Sequence, residues 1–85
     1  MDTATLQEAL DLADSAANVR EAASRLRQRF GPLRVVVVDA QDMRDETPAA
    51  QGQHRTLFLG ASDGHCWHVT TDPAAASALF VADHG

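Results

Sequence analysis

Asp72-Pro73-Ala74-Ala75-Ala76-Ser77-Ala78-Leu79-Phe80-Val81-Ala82 is the stretch that decides the architecture of this 85-residue chain. Asp-Pro is a helix-start signal. The carboxylate can cap free N–H groups, and Pro is tolerated at the first helical position because the N–H it lacks would be unpaired there anyway. The Ala that follow have the highest helix propensity of any residue. The segment therefore predicts a short C-terminal helix running from Ala74 to Val81 or Ala82.

Upstream, Arg55–Gly60 and His65–Thr71 read as two strands of a hairpin around Ala61-Ser62-Asp63-Gly64. A two-residue Asp63-Gly64 turn would set Leu57 and Leu59 on the face of His68. A three-residue bulged turn pairs Ala61 with His65 and gathers Leu57, Leu59, Trp67 and Val69 on one face. A one-residue slip exchanges the faces, so the second register is expected because it segregates the large apolar groups. Leu33–Asp39 is a third strand. Its four consecutive Val place two side chains on each face. A strand apolar on both faces needs two covers. The N-terminal helices supply one; the C-terminal helix or a partner subunit is expected to supply the other.

Before that strand, helix formers extend to Phe30, where Gly31-Pro32 is a stop. Thr5-Leu6-Gln7-Glu8 has the capping-box pattern and predicts the first helix start. Leu12, Ala16, Val19, Ala23, Leu26 and Phe30 form one amphipathic stripe, and Leu6, Leu10, Ala13 and Ala17 a second. One helix over 6–30 would be about 37 Å long, whereas a seven-residue strand reaches only about 23 Å. Asn18-Val19-Arg20-Glu21 is a second capping box and favours a break into two helices. The expected fold is a single α+β domain over 1–85 in the order α(α)βββα. It has one or two N-terminal helices, a three-stranded mostly antiparallel sheet, a short C-terminal helix and an exposed acidic loop over 40–53.

The composition narrows the function classes. Apolar residues make up 45% of the chain, many of them Ala. The thin remaining core of Leu, Val and Phe makes oligomerisation a plausible source of stability. Apolar runs such as Val35–Val38 are far short of a membrane span, and the N-terminus lacks the apolar core of a signal peptide. One Cys forms no internal disulfide, which points to a reducing cytosol. All seven basic residues are Arg; with abundant Ala this suggests a GC-rich, bacterial genome. The net charge is −5. Its one basic girdle, Arg20, Arg25, Arg27, Arg29 and Arg34, lies in an acidic surround without interleaved aromatics, so neither nucleic acid nor membrane is expected as a partner. Glu21 and Arg25 are correctly spaced for an i,i+4 pair on a solvated helix face.

His65-Cys66-Trp67-His68 is the densest cluster of borderline metal ligands. On a strand Cys66 and His68 share a face and His65 takes the other. Two ligands at i,i+2 can share Zn²⁺, but a catalytic site needs three protein ligands and a structural site four, so His54, His84 or a symmetry mate would have to contribute. A Cys66 nucleophile with His68 as base is the enzymatic variant, with no oxyanion-hole motif beside it. Otherwise Cys66 is a small buried side chain and Trp67 a core anchor. Asp39, Asp42, Asp45 and Glu46 follow a strand end, where carboxylates can hold Mg²⁺, yet they lack a calcium-loop spacing. Asp42, Met43, Arg44, Asp45 and Glu46 also read as an exposed partner-docking element. The chain is therefore expected to be a small cytosolic accessory or regulatory protein that acts by protein–protein contact, as a homodimer and without a cofactor. A Zn²⁺ or small-ligand module on Cys66 and His68 is the alternative.

Overall fold

Two caps set the helical layer. The Asp2 carboxylate accepts the Thr5 N–H at 2.8 Å and starts α1 (Thr3–Asp14), so helix begins upstream of the Thr5 box and Thr5 lies inside it. Asn18 accepts the Glu21 N–H at 2.8 Å, while Glu21 reaches back to the Ala17 N–H at 2.8 Å. This reciprocal box starts α2 (Val19–Phe30) where the second motif places it. A bidentate Arg29–Glu8 pair, at 2.6 and 3.0 Å, ties the two helices. The computed structural model describes residues 2–64 and 66–84. None of its helices is long and apolar enough to cross a membrane.

Among the described residues five strands follow: β1 (Arg34–Val37), β2 (Ala50–Gln51), β3 (Arg55–Ser62), β4 (Trp67–Thr70) and β5 (Ala78–Asp83). The sheet order is β1-β5-β3, with β2 and β4 sharing the far side of β3. β5 runs antiparallel to β3 and parallel to β1, so the sheet is mixed. The expected three-stranded sheet and C-terminal helix are thus both incorrect.

The helix signal at Asp72-Pro73 is real but local. Asp72 caps the Ala74 N–H at 3.0 Å, and the turn ends after one 3-10 turn, Pro73–Ala75. From Ala78 onward the alternation is strand-like. Leu79 and Val81 enter the core under the helices, whereas Ala78, Phe80 and Ala82 pack on the opposite face. Tertiary pairing on both edges overrides the helix propensity of Ala.

The hairpin register also differs from both sequence alternatives. Ser62 faces Trp67 and Ala61 faces His68, around the longer connection 63–66. The Cys66 N–H donates to Asp63 Oδ1 at 2.9 Å, and Gly64 supplies a positive φ of 97°. By alternation His68 takes the face of Leu57 and Leu59, while Trp67 and Val69 take that of Phe58. Trp67 is 43% exposed and is no core anchor.

The main core joins Leu10, Ala13, Ala23 and Leu26 of the helices to Val35, Leu57, Leu59, Leu79 and Val81 of the sheet. On the other face Phe58, Ala78, Phe80 and Ala82 form a second cluster with Val36, Val38, Met43 and Val69. Both faces of the Val strand are therefore packed, but the second cover comes from the 39–46 segment and sheet side chains rather than from a helix.

Candidate functional site

The acidic segment folds back as a chain of i,i+3 turns. The N–H of Asp42 meets Asp39 O at 3.1 Å, that of Met43 meets Ala40 O at 3.2 Å, and that of Glu46 meets Met43 O at 3.0 Å. Asp39 Oδ1 accepts the Gln41 N–H at 2.7 Å, an Asx turn that fixes the exit from β1. Half-buried Met43 then anchors the segment on the Phe58–Phe80 cluster. Between segment and sheet lies a cleft of about 330 Å³. Met43, Phe58 and Ala82 form apolar wall, and Arg44, Glu46 and His84 bring charge or ring nitrogen to it. Thr56 is buried, with Oγ1 at 3.2 Å from His84 Nδ1. Of the five residues singled out for docking, Met43, Arg44 and Glu46 meet at this cleft, whereas Asp42 and Asp45 are exposed and do not line it.

Cys66 and His68 are both exposed. Cys66 lies in the connection before β4, not in the strand, and His68 lies opposite Ala61. His65 falls outside the described residues. His84 bonds at the other end of β3, beside Thr56 and Gln51. Among the described residues, no group of three or more His, Cys, Asp or Glu side chains is placed to hold a metal ion.

Two arrangements are legible only in the folded chain. On the sheet face away from the helices, the Arg34 guanidinium lies 5.8 Å from the centre of the Trp67 ring. On the helical side, Arg27 Nη2 donates to the Val35 carbonyl at 2.9 Å. The first reaches from β1 across the sheet face to β4, and the second meets β1 from the helical layer; among the described residues β1 is paired on one edge alone. The bond from Val38 N–H to Val81 O fixes which residues point inward. By alternation Arg34 and Val36 also turn their backbone groups toward β5, and Val35 and Val37 turn theirs to the open edge. The Val37 side chain, beside that edge, is 40% exposed.

Electrostatics elsewhere are structural. The Asp14 carboxylate accepts three backbone N–H groups: His54 at 2.7 Å, Arg55 at 2.9 Å and Gln53 at 3.2 Å. The His54 amide is the largest cause that holds its pKa below the ordinary 3.8, with those of Arg55 and Gln53 adding to it. A Cβ at Gly52 would run into that carboxylate. Arg55 is buried, donating to His54 O at 2.9 Å and Ala16 O at 3.1 Å, with Asp83 at 3.4 Å. It binds the turn between the helices to the start of β3.

The described residues form a two-layer α+β domain, with two helices on one face of a mixed five-stranded sheet in which the outer edge of β1 has no strand partner. Residues 8–84 match a family described as a family of unknown function, DUF6129, and the chain belongs to that family. No curated protein and no solved structure matches it.

Proposed function

We propose that the chain is a small cytosolic accessory or regulatory protein that acts by protein–protein contact and self-associates as a homodimer. The observation that carries this reading is the open edge of β1. An edge strand presents a row of free N–H and C=O groups, a template for another chain. Natural edges are blunted by Pro, bulges or inward-pointing charges. The sequence Arg34-Val35-Val36-Val37 has no Pro and no charge between its Val residues, and Val37 stands exposed beside it.

Light scattering coupled to size exclusion tests the reading. A dimer is expected at tens of micromolar. A single species of one-chain mass across that range would remove self-association.

A further inference from the structure

We infer that a second copy of this chain pairs with β1 in antiparallel orientation about a two-fold axis at Val36, extending the sheet from one subunit into the next. The inference rests on the self-association proposed above and specifies the surface and register.

The backbone selects the register. Val35 and Val37 point their N–H and C=O groups outward, and Val36 points inward to β5. A two-fold axis at Val36 places Val35 opposite Val37 of the partner subunit, and Val37 opposite the partner's Val35. Each such pair exchanges two N–H···O bonds, giving four across the junction. An axis at Val35 or Val37 would pair one outward residue with its own copy and carry the other past the end of the strand. Only the Val36 axis joins all the outward groups of β1. The Val35 carbonyl already accepts Arg27 Nη2 at 2.9 Å, but a carbonyl oxygen has two lone pairs and one remains for the partner's Val37 N–H.

Charge selects the same orientation. The cleft along β1 is lined by Arg27 together with Leu33, Val35 and Val37, and the bond to the Val35 carbonyl holds Arg27 toward the start of the strand. The cleft beside its end is lined by Val37, Val38 and Asp39, and also by Asp83 of β5, whose carboxylate lies 3.4 Å from Arg55. The edge is thus cationic at one end and anionic at the other. Antiparallel pairing sets the Arg27 end of one copy against the Asp39 end of the next. The partner's Asp39, two residues past the end of its β1, is then brought toward the Val35 end of the first copy, where Arg27 already sits. A parallel junction would set like charges together, and it cannot arise from a two-fold axis.

Disulfide trapping tests the register directly. Val36 and its copy form a non-hydrogen-bonded pair, whose Cα separation of about 4.5 Å lies within disulfide range. With Cys66→Ser removing the native thiol, Val36→Cys should give a covalent dimer under a mild thiol oxidant at least tenfold faster than Val37→Cys. Val37→Pro removes an outward N–H while leaving every bond to β5, so it should be a folded monomer. If Val37→Pro fails to fold, Val37→Lys leaves the backbone intact and sets a cation beside the partner's Arg27; it too should be monomeric. A dimeric wild type that Val36→Cys does not trap, or a folded Val37→Pro that remains dimeric, overturns the β1 junction and leaves self-association standing. A monomeric wild type overturns both.

Discussion

The ring of Phe80 lies directly over Gly60, so close that a Cβ at position 60 would stand 2.6 Å from Phe80 Cζ. The two residues belong to neighbouring strands, with Phe80 one row along from the Gly60–Ala78 pair. Small residues at 60 and 78 leave the space that a buried aromatic fills on the face without helices. Gly60→Ala is expected to cost about 1–3 kcal/mol by overpacking. Urea denaturation should show the loss, and adding Phe80→Leu should return part of it. Two independent, additive losses would contradict the contact.

Leu79 is fully buried beneath the helices, in a segment whose composition favours helix. Leu79→Ala should remove about 2–5 kcal/mol, a large share of the stability of a domain this size. The exposed Ala75, in the 3-10 turn, is the control: Ala75→Ser should shift the midpoint by less than about 0.5 kcal/mol. Equal effects at the two positions would speak against strand β5.

Asn18→Ala removes the acceptor that begins α2. The expected cost is about 0.5–2 kcal/mol, read from thermal or urea unfolding. Asn18→Gly should cost less, because glycine is itself a tolerated cap.

Asp14 makes the stability depend on pH in a defined direction. Its folded pKa is depressed by three backbone N–H donors. Its contribution is therefore fully present above the unfolded value of 3.8 and is lost as pH falls through the lower folded value. Asp14→Asn should destabilise the protein at neutral pH, and its stability should fall less steeply than the wild type's in the acid range. Unfolding midpoints measured from neutral to acid pH give the comparison. A parallel fall in both proteins would show that the cradle contributes nothing to acid sensitivity.

Trp67 starts β4, immediately after Cys66 and before His68, so its emission reports on that strand. Zn²⁺ titration should leave the emission unchanged. A saturable change abolished by His68→Ala would establish a metal site on β4 instead.

The helical half was legible because its signals are local. Asn18 and Glu21 lie three residues apart and complete their bonds within one turn, and Glu21–Arg25 form their pair at 3.0 Å. The sheet was less legible because its determinants are distant or short. Ala50–Gln51 contributes only two residues to pairing, too few to show a period. In 78–83, the alternating Ala suit either a helix or the crowded face of a strand, and the choice falls to β1 and β3, which demand a partner between them. The hairpin faces turned on loop length, and the 63–66 connection is longer than either turn read from Asp63-Gly64. The Arg34–Trp67 pair could not be found without strand order, since it bridges two strands that are not neighbours. The 39–46 segment was identifiable as an exposed loop from its acids, but its anchor at Met43 depended on knowing that one sheet face lacks a helix.

The position of β5 has a kinetic consequence. β1 finds its hydrogen-bonded neighbour only after a sequence separation of 44 residues (78 − 34), and β3 obtains its longest pairing from the same late strand. Neither the helices with β1 nor the β3–β4 hairpin can close the sheet alone. Closing such distant pairings carries a loop-entropy cost before any contact rewards it, which slows folding. The chain should therefore assemble in one cooperative step gated by arrival of its last strand, with β1 exposed and unpaired on both edges until that moment.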